Sequence, residues 1–235
     1  MADKPLPHPS TFVAKRRLEL IKGYRVHESR TPGKPVRVVT PSQTVGPFYP
    51  QALIGPGEDD LACRVPGGAR AQGTPIVVSG HVYDEAGKPV RGALVEVWQA
   101  NKWGKYEHPV DQTPEPLDPN FKGYGRMLTD AEGRYRFRAI KPGAYPNPGY
   151  DDWMRPPHIH FSLFGAGVMQ RLITQAYFPG EALNDIDPIL NGVEDLDARA
   201  SLIARELAPE ADGTLRFEFD IVLRGSNETP FFVDP

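Results

Sequence analysis

His158 and His160 stand two residues apart in RPPHIHFSLF, residues 155–164. Side chains alternate across a strand, so a strand here aims both imidazoles at one point. Buried imidazoles need partners for their ring nitrogens, and a shared metal ion meets that need. The same spacing suits two histidines that complete hydrogen bonds in a core. No cysteine lies near the pair, which excludes a soft thiolate site. Asp151 and Asp152 leave open a ferrous site of two histidines and one carboxylate. Two tyrosines offer a different set: Tyr106 in NKWGKYEH and Tyr145 in IKPGAYPNPG, each in a Gly/Pro-shaped loop beside a strand. A phenol has a pKa of about 10, so phenolate at neutral pH requires a strong Lewis acid, and ferric iron is a suitable one. Arg155, three residues before His158, can stabilise developing negative charge or pair with Asp151 or Asp152.

Short alternating runs must position these groups. They are IVVSGHVYD (76–84), GALVEVWQA (92–100), RYRFRAI (134–140), HIHFSLF (158–164), RLITQAYF (171–178) and LRFEFDIVL (215–223), with Gly, Pro and Asp turns between them. The pattern predicts an antiparallel β-sandwich or barrel with few short helices. One helix is expected at Asp197–Leu207 and another at Val13–Ile21, where apolar residues recur at helical spacing. Segment 100–132 reads as a long, functional loop. Residues 1–74 are too dense in Pro and Gly for a regular domain, yet carry Tyr24, Val38, Val39, Phe48 and Tyr49. That composition predicts an irregular N-terminal arm (1–74) packed against something, followed by the sandwich (75–235).

Bulk properties exclude several classes. A net charge of −3 gives no electrostatic reason for a nucleic acid or an anionic membrane as partner. No run of 18 apolar residues could span a bilayer. A single cysteine, Cys63, forbids an internal disulfide framework. The polar, Pro-rich start MADKPLPHPS lacks the apolar core of a signal peptide, so a cytoplasmic location is expected.

GHVYDEAGKPVRGALVEVWQANKWGKY, LDPNFKGYGRMLTDAEGRYRFRAIKPGAYP, DDWMRPPHIHFSLF and RLITQAYFPGE together resemble the intradiol ring-cleaving dioxygenases, most closely the beta chains that act on protocatechuate (3,4-dihydroxybenzoate). The resemblance is strong over 76–180, returns at FEFDIVLRG (217–225) and is looser before residue 75. It implies a β-sandwich holding non-haem Fe(III) through Tyr106, Tyr145, His158 and His160, with a solvent hydroxide as fifth ligand, Tyr145 and His160 axial, and Tyr106 and His158 equatorial. It implies O2-dependent cleavage of protocatechuate to 3-carboxy-cis,cis-muconate, with Tyr145 as a displaceable ligand that also serves as a base. It places Arg155 and Gln175 in the active site and Tyr24 near the substrate carboxylate. It also implies a homologous alpha chain as partner, in an assembly of several pairs. One departure stands out: the beta chains carry Tyr-Pro-Trp where this chain has Tyr145-Pro146-Asn147. The ring substituent accepted beside Asn147 is therefore open, with Trp153 or Tyr150 as substitute walls. Two alternatives remain. One is an intradiol enzyme for catechol or hydroxyquinol, although residues 1–74 do not read as the helical dimerisation domain of those relatives. The other is a non-catalytic transthyretin-like sandwich module, which shares the turn-strand motifs but has no use for the tyrosines and the His-Ile-His run.

Overall fold

The computed structural model describes residues 54–147, 153–165 and 168–232. Within them the strands are β1 (Pro75–Tyr83), β2 (Leu94–Trp98), β3 (Tyr124–Leu128), β4 (Arg134–Ile140), β5 (Tyr145–Pro146), β6 (Met154–Arg155), β7 (His158–Gly165), β8 (Val168–Tyr177), β9 (Arg205–Leu207), β10 (Leu215–Glu218) and β11 (Ile221–Val222). Alternation drives their formation. Along β4, Tyr135, Phe137 and Ala139 turn inward while Arg134, Arg136 and Arg138 stay exposed. β1 carries β4 antiparallel on one edge, and on the other it pairs in parallel with β10 and then β11, with β9 antiparallel to β10. The second sheet runs β3-β2-β7-β8, all antiparallel. β5 and β6 form a separate ribbon.

The two sheets meet through one core. Val78, Phe137 and Phe217 from one sheet join Val95, Val97, Ile159, Phe161 and Leu163 from the other. Phe161 is fully buried; its ring centroid lies 6.0 Å from Phe137, 5.8 Å from Tyr135 and 5.1 Å from Phe219. Of the sandwich and the barrel that the alternating runs allow, the structure is the sandwich.

Three local expectations are corrected. The long loop after β2 ends earlier, because 124–128 form β3; Gly125 masks an alternation in which it and Met127 are buried. LRFEFDIVL is split into β10 and β11, since the Asp220 carboxylate replaces a ladder carbonyl and accepts the His81 N–H at 2.8 Å. The helix expected at 197–207 is shorter: α1 spans Leu196–Ser201, capped by Asp195, and the chain then turns to strand β9. Tyr177 at the end of β8 captures it, donating N–H to Leu202 O and accepting from Ala204 N, both at 2.8 Å.

The expected helix at 13–21, and Tyr24, lie outside the described residues. Residues 54–74 contain no strand; Leu61 enters the sandwich core and donates its N–H to Arg138 O on β4 at 2.8 Å. Phe161→Ala should lower the unfolding free energy by about 3–5 kcal/mol, because it opens a cavity where both sheets meet. Urea unfolding measures this; a loss under about 1 kcal/mol would contradict the packing described.

Candidate metal centre

β7 accounts for the histidine pair. Ile159, Phe161 and Leu163 enter the core, so His158 and His160 turn to the opposite face of the sheet. His160 has Trp98 of β2 and Gln175 of β8 as cross-strand neighbours, and His158 has Tyr177. The Trp98 indole stacks on His160 with centroids 4.8 Å apart and planes 4° from parallel. The Pro-Pro pair before the strand also has a use. Pro156 O lies 2.7 Å from His158 Nδ1. A carbonyl only accepts, so Nδ1 carries the hydrogen and Nε2 presents a lone pair. That Nε2 is 3.1 Å from His160 Nε2 and 3.1 Å from Tyr145 Oη.

Both tyrosines arrive on loops that cover this face. Asn101 Oδ1 accepts the N–H groups of Trp103 and Lys105, and Asn101 O accepts those of Gly104 and Gly143. The bond to Gly143 ties the Tyr106 loop to the Tyr145 loop. Contact there is too close for side chains: a Cβ on Gly104 (φ +80°) would lie 2.2 Å from Ala144 O, and one on Gly143 would lie 2.4 Å from Lys102 O. Asp111 Oδ2 accepts Tyr106 N–H at 2.8 Å, while its Oδ1 receives Lys105 Nζ at 3.1 Å. The Tyr106 and Tyr145 rings consequently meet edge to face at 5.3 Å, and Tyr106 lies 6.5 Å from His160.

Protonation follows from burial. Burial, then the nearby Arg155 charge, lowers the His160 pKa to about 3 and holds His158 well below its ordinary value. Both rings are neutral, the form that binds metal. Burial raises Tyr106 well above the usual phenol value, and raises Tyr145 against the opposing pull of Arg155. Phenolate at either position therefore needs a cation beside it. Tyr106 Oη is buried and makes no hydrogen bond of ordinary geometry among the described residues. An orphaned hydroxyl, a second hydroxyl and two facing imidazole nitrogens fit a hard cation. No group of three His, Cys, Asp or Glu side chains among the described residues suits a metal. Asp151 and Asp152 lie outside the described residues.

A cleft of about 1160 Å³ reaches this cluster, with Trp98, Tyr106, Tyr145 and Asn147 in its wall. Asn147 is held by its N–H on Trp153 O at 2.8 Å. Trp153 itself is buried, 5.9 Å from the Arg155 guanidinium, and is not part of the cleft wall. Tyr150 and Tyr24 lie outside the described residues. Arg155 is buried opposite Tyr145 in the β5–β6 ribbon. Its Nε donates to Asp187 Oδ2 at 2.9 Å, and its Nη2 to Gln175 Oε1 at 2.7 Å and Tyr177 Oη at 2.9 Å. Gln175 thus bonds Arg155, and neither side chain lines the cleft. Trp98, Tyr177, Asp187 and Asp111 are the residues that sequence reasoning missed. Tyr177 was within reach, two residues after Gln175 on the same strand face; Asp187 offered only an Asp-Pro turn signal.

Comparison with known proteins decides the family. The family model described as "Dioxygenase" matches residues 44–225. The chain is 53% identical over 186 residues to the protocatechuate 3,4-dioxygenase beta chain of Burkholderia cepacia, covering 78% of this chain and 79% of that protein. The chain belongs to the intradiol dioxygenases. It is also 35% identical over 200 residues to the protocatechuate 3,4-dioxygenase alpha chain of Pseudomonas putida, covering 82% of this chain and 95% of that one. The solved dioxygenase domain of a dioxygenase–carbohydrate-binding fusion from Streptomyces sp. SirexAA-E superposes with a TM-score of 0.52 at 29% identity, over 80% of this chain and all of that one. For an intradiol dioxygenase, the non-catalytic module is no longer an alternative. Gly143→Ala in this dioxygenase should cost about 1–3 kcal/mol by prising the tyrosine loops apart, with the far-UV circular dichroism unchanged. A wild-type urea midpoint in that variant would contradict the loop contact.

Proposed function

We propose that this intradiol dioxygenase cleaves protocatechuate with O2 between its two hydroxylated carbons, giving 3-carboxy-cis,cis-muconate. The carrying observation is the convergence of Tyr106, Tyr145, His158 and His160 around one buried point, with Tyr106 Oη making no hydrogen bond among the described residues. These four side chains would hold ferric iron. When bound, the ion supplies the Lewis acidity that keeps the phenols ionised and binds the diol oxygens.

The chain's own groups do the rest. The Nδ1 bond to Pro156 O keeps the His158 Nε2 lone pair directed at the site. Tyr145 Oη is the base that takes a proton from the diol; it lies at the cleft wall and within 3.1 Å of His158 Nε2. Arg155, fixed by three side-chain partners, stabilises negative charge that develops on the ring, with Gln175 beside it. Trp98, stacked on His160, walls the cleft. Asn147 meets the ring substituent, and Tyr24 contributes from the N-terminal segment.

The 53% identity to a beta chain and 35% identity to an alpha chain support a working unit that pairs this chain with a homologous alpha chain. In that unit residues 1–74 form an arm that reaches the partner, and 75–235 form the catalytic sandwich. No helix among the described residues is long and apolar enough to cross a membrane. A reducing cytoplasm suits the lone, buried Cys63 thiol.

Asn147, in place of the tryptophan of the beta chains, favours a second reading in which catechol or hydroxyquinol is the substrate. O2 uptake by the iron-loaded protein, with and without an alpha chain, separates the two. Protocatechuate should be preferred in kcat/KM by at least about tenfold, the discrimination one buried polar contact supplies. A preference for catechol or hydroxyquinol would move the assignment within the family. His160→Ala should reduce iron retention and turnover by more than the roughly 10–100-fold typical for loss of an outer partner of a metal site. Undiminished iron and turnover in that variant would refute the ligand set.

A further inference from the structure

Asp187 is fully buried and is not a member of the metal-facing cluster. It is itself anchored: Oδ1 accepts the N–H groups of Ile189 at 2.7 Å and Leu190 at 3.1 Å, and its carbonyl accepts Asn191 N at 3.0 Å. Pro188 follows it and fixes the backbone there. The free oxygen, Oδ2, receives Arg155 Nε. With Gln175 and Tyr177 on Nη2, the guanidinium is clamped along one edge, and Nη1 is the nitrogen these partners leave over. The positive charge so held acts on Tyr145, His158 and His160. Gln175 and Tyr177 are neutral, so Asp187 is the charged partner in this clamp, and a buried cation deprived of its counter-charge reorients or draws in water.

We propose that Asp187 is a positioning residue for ring cleavage: its carboxylate, locked on the 187–191 turn, sets the orientation and effective charge of Arg155 beside the substrate. This rests on the iron-dependent reading above. It adds a residue that never touches substrate and acts only through Arg155. The arrangement also explains why the Asp-Pro turn lies beneath the site, when a surface turn would serve equally well to connect β8 to α1.

The test is a double-variant cycle in the full, assembled enzyme. Asp187→Ala should lower kcat per bound iron by about 10- to 100-fold, as for a misplaced electrostatic group, with iron per chain unchanged. Asp187→Asn has one acceptor oxygen for two duties, the turn and Nε, and should lose at least about fivefold. In an Arg155→Met background neither change at Asp187 should cost more than about twofold further. The metal-free protein gives a second readout: Asp187→Ala lowers the urea midpoint when Arg155 is present, and adding Arg155→Met restores the part due to the unpaired guanidinium, while the loss of the turn bonds to Ile189 and Leu190 remains. If Asp187→Ala fails to fold, Asp187→Asn carries the same cycle. Equal losses in both Arg155 backgrounds, or wild-type kcat per iron in the Asp187 variants, would overturn the proposal. A wild-type enzyme without iron-dependent ring cleavage would defeat the functional reading instead, and the urea cycle would still decide whether Asp187 and Arg155 are coupled.

Discussion

Unsatisfied polar atoms at one buried point are the constraint around which this protein is built. His158 Nε2 and His160 Nε2 face each other at 3.1 Å, and the Pro156 carbonyl already uses the one hydrogen His158 carries. One proton at most can lie between those nitrogens. Tyr145 Oη crowds the same nitrogen, and Tyr106 Oη makes no hydrogen bond among the described residues. Buried polar groups left in this condition each cost free energy of about 1–3 kcal/mol. A protein that retains such a cluster gains something from it, and a cation that accepts all four lone pairs is the chemical answer.

The scaffold converts this local cost into a defined geometry. Cross-strand register places Trp98 and Gln175 on either side of His160, so the imidazole cannot swing away. Phe161, one residue further along β7, is locked into the core by aromatic neighbours from the opposite sheet. The same strand therefore anchors the fold with one face and the site with the other. Above it, Asn101 and two glycines bring separate loops into backbone contact and set the tyrosines side by side. Behind it, Arg155 is fixed by groups from β8 and from the 187–191 turn. The order of roles is clear: core packing holds β7, β7 holds the imidazoles, and the loops bring the phenols to them.

Much of this was legible in residue patterns, for identifiable reasons. His158 and His160 announce a shared face because strand alternation is strict, and β4 is readable for the same reason. Tyr106 and Tyr145 were located by their Gly/Pro loops and by resemblance, since no local spacing links residues so far apart. β3 was hidden by Gly125 at an inward position, which contributes nothing to an apolar count. The helix at 197–207 was cut short by hydrogen bonds to Tyr177, a tertiary contact that helical periodicity cannot register. Asp187 escaped notice because its meaning depends on a partner 32 residues away.

The central claim is that Tyr106, Tyr145, His158 and His160 grip a single ferric ion. Titrating the metal-free protein with ferric iron while recording visible absorption tests it directly, because phenolate bound to Fe(III) absorbs there and neither free phenol nor zinc-bound imidazole does. The account predicts a wine-red protein whose band saturates at one equivalent per chain, loses intensity in both Tyr106→Phe and Tyr145→Phe, and changes on anaerobic addition of protocatechuate. A colourless protein after iron loading, or a band indifferent to both tyrosine replacements, would contradict it.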